Sequence, residues 1–289
     1  MSTYVMPTGF DKRVGTEVVA PGVIGDFEIN VPKKYYTYYQ WACFVLFFQA
    51  IMCYIPRAIW KMREGGLLLQ LAGGMNPFTT SEIRETKIRT LVHYMYMHQG
   101  THNLYAFTYW FCELLCLVNV VGQMFLINTF LDGQFLSFGS QLLRTSNEAQ
   151  EDRYDPLIYV FPRMTKCSFY YYGAGGSIQN ADNLCLLPQN VISEKVYIFL
   201  WFWYIILMVL LGILVIYRLV ILLVPSARPY LLRARCSSMS HKTAEIVSEN
   251  VDIGDWWLLY SLARNVQPII YNELIQEFSQ RMGFKIGLL

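Results

Sequence analysis

Residues 33–60 have the sequence KKYYTYYQWACFVLFFQAIMCYIPRAIW, which joins a polar aromatic segment to a long apolar run. Two lysines and four tyrosines open it, and a run of apolar residues follows from Trp41 to Ile55 that only Gln49 interrupts. Tyrosine and tryptophan rings favour the headgroup level of a membrane, where the ring contacts lipid and its polar atom reaches water. The pattern predicts a transmembrane helix over residues 39–60. A buried core helix is the alternative.

Two further apolar blocks are long enough to cross a membrane as a helix, which takes about 20 residues. Residues 104–131 are mostly Leu, Val, Phe and Tyr, and residues 196–224 join an aromatic cluster to an aliphatic run. The chain is 54% hydrophobic and only 15% charged, whereas soluble domains are about 25% charged. These features predict an all-α polytopic membrane protein with three transmembrane helices. The net charge of +2 gives no reason to expect a nucleic-acid partner.

The segments between the spans differ in charge. Eight Lys and Arg residues lie near span ends in the 61–103 loop and the 225–289 tail, and four lie near span ends in residues 1–38 and 132–195. Positive charge stays on the cytoplasmic side. The 61–103 loop and the helical tail are therefore expected in the cytoplasm, and the 132–195 loop outside.

The basic stretch from Arg228 to Lys242 contains four basic residues and no acid. Such a stretch contacts anionic lipid headgroups at a membrane surface. A simple topology signal is the alternative.

Polar residues in the predicted spans are candidates for function. Glu113 is the only acid deep in a span. Such a group lines a pore, binds a cation or pairs with a hydroxyl or amide of a neighbouring helix as a packing lock. Arg218 is expected to extend toward the nearer interface. Pro56 lacks an N–H group, so it either kinks the first span as a gating hinge or ends the helix. No Glu or Cys completes a metal set with His98 and His102, so no metal site is expected.

The tail carries two helix signals. Asp255 is expected to cap a helix that begins with Trp256 and Trp257, and Pro268 suits the first turn of another. Four apolar residues at a spacing of four then form one stripe that needs a partner surface: Ile270, Leu274, Phe278 and Met282.

Cys167 and Cys185 are the only two cysteines in the predicted outside loop. An oxidising compartment permits a disulfide there. The two residues can pair with each other if their Cα atoms approach within about 4.4–6.8 Å, which the sequence leaves open.

Several motifs together resemble the innexins, the invertebrate gap-junction proteins. The membrane-entry motif consists of Tyr38, Tyr39, Gln40 and Trp41. The others are FVLFFQA at 44–50, YIPR at 54–57, YVFPRMTKC at 159–167 and DIGDWW at 252–257. The resemblance covers nearly the whole chain.

The resemblance implies a function. Innexins form homo- or hetero-oligomeric rings of innexin subunits in the plasma membrane. A ring docks with an apposed hemichannel on the neighbouring cell and passes ions and small metabolites. The implied protein is a multi-pass gap-junction subunit in contact with membrane lipid, with no enzymatic activity and no cofactor.

One feature departs from the family pattern. In innexins, Cys167 and Cys185 match cysteines that are joined to a second pair in the first extracellular loop. That pair is absent here, and the chain resembles an innexin without the N-terminal segment, the first span and the first half of that loop. Three spans instead of four are therefore expected. The alternative function is a truncated, non-conducting subunit that modulates full-length channels.

Overall fold

A computed structural model of the chain describes residues 3–10, 12–25, 32–75, 80–145, 156–236 and 238–286. The chain divides into two compact units. Unit 1 comprises Met1–Cys53 and Asn119–Val209, and unit 2 comprises Tyr54–Val118 and Leu210–Leu289.

Helices make up most of the described residues. In chain order they are α1 (Ala42–Glu64), α2 (Leu67–Ala72), α3 (Ser81–Met97), α4 (Asn103–Phe130), α5 (Phe135–Thr145), α6 (Pro156–Val160), α7 (Pro188–Leu223), α8 (Ala227–Arg235), α9 (His241–Asn250), α10 (Ile253–Leu262) and α11 (Pro268–Ile286).

Three helices, α1, α4 and α7, are long and apolar enough to cross a membrane. They coincide with the spans predicted at 39–60, 104–131 and 196–224, although α7 starts earlier, at Pro188. Within the most apolar 18 residues of α7, only 6% are buried in the chain. Exposed aliphatic side chains on this scale need lipid or another subunit to cover them. The part of the chain that the structure describes thus contains three candidate membrane helices, at the three predicted places.

A four-stranded antiparallel sheet in unit 1 corrects the prediction of an all-α protein. Its strands are β1 (Thr3–Val5), β2 (Lys34–Tyr35), β3 (Met164–Tyr172) and β4 (Ile178–Leu186), in the order β2-β1-β3-β4. The hairpin β3–β4 turns at residues 173–177, where Gly176 adopts a φ of 74°. Glycine takes this conformation without steric cost, which lets the two strands pair directly.

The core of unit 2 forms around α10 and α11. Pro268 is the first residue of α11, as predicted. The stripe of Ile270, Leu274, Phe278 and Met282 is buried to 3% exposure or less. It packs in one cluster with apolar residues of α3, among them Leu91 and Met95. The partner surface that the stripe required is therefore supplied by the chain itself.

Candidate functional site

An ion pair in unit 2 joins α4 to α7. Arg218 donates from Nε and Nη2 to the two carboxylate oxygens of Glu113, at 2.7 and 2.8 Å. Both side chains are only 14% exposed. A charged group in an apolar setting is costly unless it is paired and hydrogen-bonded. Arg218 therefore pairs with Glu113, a partner that the sequence did not identify.

The same arginine contacts the tail. Its guanidinium carbon lies 4.5 Å from the ring centre of Trp257, a cation–π distance. Trp257 is 3% exposed, and its neighbour Trp256 is fully buried and stacks on Tyr260 at 5.2 Å. The tail motif thus packs directly against the charged pair of the membrane helices.

Asp255 connects the tail to the start of α4. Its Oδ2 accepts a hydrogen bond from the backbone N–H of Gly100 at 2.6 Å, and its Oδ1 lies 2.6 Å from Nδ1 of His102. His102 in turn lies 3.2 Å from the hydroxyl of Tyr94. Asp255 is fully buried, so these contacts replace the water that its carboxylate loses. This network was not anticipated from the sequence.

The expectation that Asp255 caps α10 was wrong. The helix begins at Ile253, and Asp252 occupies the N-cap position. Asp255 lies inside the first turn, and its side chain reaches back to Gly100 and His102. The sequence DIGD offers two acidic candidates, and local helix rules do not distinguish an N-cap from a buried hydrogen-bond acceptor.

Gly254 allows the tail to approach α4 closely. Its N–H donates to Oδ1 of Asn103 at 2.9 Å. A Cβ at this position would overlap the backbone of Asn103. Only glycine fits this contact.

A polar contact in unit 1 joins α1 to α4. Pro56 lies inside α1 and has no N–H, so the carbonyl of Met52 lacks its usual helical donor. Nδ2 of Asn119 donates to that carbonyl at 3.2 Å. One turn away, Nε2 of Gln123 donates to the carbonyl of Gln49 at 3.4 Å. The helix continues through Pro56, and α4 satisfies the carbonyl that the proline leaves free.

Cys167 and Cys185 form a disulfide, with their Cα atoms 5.9 Å apart. The bond crosses from β3 to β4. The structure thus pairs these cysteines with each other, whereas the resemblance placed their partners in a second pair. Beside the bond, Asp182 accepts a hydrogen bond from the hydroxyl of Tyr4 at 2.7 Å and lies 2.5 Å from Nζ of Lys166. The hairpin is therefore tied to β1 as well.

The residues of the membrane-entry motif differ in burial and in their hydrogen bonds. Residues Tyr38–Gln40 form one turn of 3₁₀ helix. The hydroxyl of Tyr38 donates to the carbonyl of Val160 at 2.6 Å, and burial raises the pKa of this phenol above its usual range. Nε2 of Gln40 donates to the hydroxyl of Tyr39 at 3.3 Å, whereas Trp41 is 61% exposed. Tyr38 thus packs inside unit 1, whereas the ring of Trp41 stays exposed.

Comparisons with known proteins agree with the motifs. The Innexin family model matches residues 1–282. Innexin inx1 of Schistocerca americana is 52% identical over 97% of this chain and 78% of its own length. Innexin inx1 of Drosophila melanogaster is 48% identical over 97% of this chain and 78% of its own length. Innexin inx2 of the same species is 44% identical over 98% of this chain and 77% of its own length.

These matches give no support to the expected loss of a front end, because the family model covers nearly the whole chain. They also give no support to the non-conducting alternative. The three membrane-length helices and the disulfide hairpin agree with the family match. The protein is a gap-junction channel subunit of the plasma membrane and not an enzyme, and it belongs to the innexin family.

Proposed function

We propose that this chain enters a ring of identical or different innexin subunits that docks with an apposed hemichannel on a neighbouring cell. The docked channel passes ions and small metabolites between the two cells. The match of the family model over residues 1–282 is the observation that carries this proposal.

The charge distribution supports a topology for the segments. Residues 61–103 and 225–289 lie in the cytoplasm, and residues 1–38 and 132–195 lie outside, because more Lys and Arg residues flank the former. A disulfide between Cys167 and Cys185 agrees with an oxidising exterior. The exposed apolar side chains of α1, α4 and α7 contact membrane lipid or neighbouring subunits.

The hairpin β3–β4 supplies the docking surface. Its tip exposes large apolar side chains, including Tyr170 (66%), Tyr172 (77%) and Ile178 (67%). Tyrosine is enriched where protein surfaces meet, since it offers a large rigid ring and one polar atom. The disulfide and the hydrogen bond from Tyr4 to Asp182 keep the base of the hairpin fixed.

Junctional conductance between paired cells that express the chain tests the function. The parent chain should give a junctional current. The variant Y170S/Y172S should reach the cell surface but give a reduced current, because docking loses two aromatic side chains. Y230S is the matched control, since Tyr230 is equally exposed (64%) but lies in the tail. A parental current from surface-expressed Y170S/Y172S would refute the docking role, and no current from the parent chain would refute the function.

Cysteine labelling in intact cells tests the topology. Ser177 lies in the hairpin turn and Ser240 precedes α9, and both are exposed. With a membrane-impermeant maleimide, S177C should be labelled above the parent background in intact cells. S240C should be labelled only after permeabilisation. The reverse pattern contradicts the proposed orientation.

A further inference from the structure

A cavity of about 270 Å³ in unit 2 is lined by three arginines: Arg218, Arg235 and Arg264. Its walls include the rings of Trp257 and Tyr260. Neither the ion pair of the membrane helices nor the proposed docking surface requires such a cavity. A concave site with several cationic groups is a candidate for binding a small ligand.

The cavity carries an excess of positive charge. Glu113 neutralises Arg218, with both guanidinium contacts shorter than 3 Å. Arg235 and Arg264 have no carboxylate within 4 Å among the residues that the structure describes. Two full charges therefore remain without a counterion from the chain.

The orientation of Arg235 is fixed by Tyr260. One guanidinium nitrogen donates to the tyrosine hydroxyl at 3.0 Å, and the guanidinium carbon lies 4.9 Å from the ring centre. A guanidinium has five N–H donors, so most of those of Arg235 stay available for a ligand. A side chain already oriented by stacking loses less freedom when it binds.

We propose that this cavity binds a phosphate-bearing anion, which Arg235 and Arg264 hold. The planar guanidinium fork matches the oxygens of a phosphate group. The volume is close to the lower limit of about 300 Å³ for small-molecule pockets, which suits a group of headgroup size. Phospholipid headgroups and soluble phosphates share this chemistry. The inference goes beyond channel formation and does not depend on it.

The test uses the full chain in phosphatidylcholine nanodiscs and follows its tryptophan fluorescence, because Trp60 and Trp257 line the cavity. Inorganic phosphate is titrated at constant ionic strength against chloride. In a second arm, phosphatidic acid replaces part of the phosphatidylcholine. We expect saturable binding that weakens at least about tenfold in R235Q/R264Q, since each lost charge-assisted hydrogen bond exceeds the energy of a tenfold change in Kd.

Two variants make the result specific. R233Q removes an exposed arginine of the same helix that does not line the cavity, and it should bind as the parent does. R235K/R264K keeps the charge and should retain part of the affinity.

A response to inorganic phosphate identifies a soluble anion, and a response to phosphatidic acid alone identifies a headgroup. If the parent chain responds to neither probe, or if R235Q/R264Q responds as the parent does, the proposal is wrong. Because conductance is not measured, this failure is distinct from failure of the channel function.

Discussion

The replacement of Asp255 by asparagine tests the link between the tail and α4. The asparagine keeps the shape of the side chain but loses the charge and offers only one acceptor oxygen. Asp255 is fully buried and contacts both the N–H of Gly100 and the ring of His102 at 2.6 Å. In D255N the amide NH₂ must therefore face one of these two groups.

The cost follows from these contacts. Hydrogen bonds to a charged group contribute about 1.5–3 kcal/mol each, and D255N removes the charge at two of them. We expect D255N to lower the free energy of unfolding by about 3 kcal/mol, because it weakens one of these contacts and breaks the other. For a chain of this size the change corresponds to a fall of about 10 °C in Tm.

Thermal unfolding of the full chain in detergent measures this effect through tryptophan fluorescence, because Trp256 and Trp257 are buried beside Asp255. D252N is the matched control. Asp252 is exposed, lies three residues earlier at the N-cap and makes no side-chain cap hydrogen bond. It should change stability by no more than about 0.5 kcal/mol. Equal falls in Tm for D255N and D252N would show that the buried contacts of Asp255 do not stabilise the fold.

Three further predictions concern the other contacts. E113Q leaves Arg218 buried without a counter-charge and should cost about 3–5 kcal/mol, measured as a fall in Tm. C185S removes a disulfide of sequence separation 18 and should cost about 3 kcal/mol; added reductant should then lower Tm in the parent chain but not in the variant. N119L should cost about 1 kcal/mol in the parent chain and less in P56A, because alanine restores the N–H that the carbonyl of Met52 lacks.

Each of these predictions has its own control. E85Q removes one partner of the exposed pair between Glu85 and Arg89, which is worth about 0.3–0.5 kcal/mol, and an equal effect of E113Q would contradict the first prediction. C43S alters an exposed free cysteine, so its Tm should stay sensitive to reductant. Equal costs of N119L with and without Pro56 would show that the asparagine does not compensate for the proline.

The features that the sequence predicted correctly depend on local pattern. The length of an apolar run identifies a membrane helix wherever its partners lie, so all three long helices were predicted. The apolar stripe of α11 was predicted for the same reason, since its residues recur at helical spacing.

The features that were missed depend on distant residues. β4 contains Asn180, Asp182 and Asn183 and is largely exposed, so it lacks the alternating apolar pattern of a typical strand. Its pairing comes from the turn and the disulfide. Likewise Asp255 lies 153 positions from His102. Local signals identify the acid of a contact but do not identify its partner.

The pair of Glu113 and Arg218 has a consequence for biogenesis. An unpaired charged side chain within a membrane span raises the free energy of insertion of its helix. The two charges belong to different helices, and α7 is synthesised only after the whole hairpin β3–β4. When α4 leaves the ribosome, its acid has no counter-charge from α7. The pair can therefore form only after α7 has been synthesised, and until then α4 carries an acid without its partner.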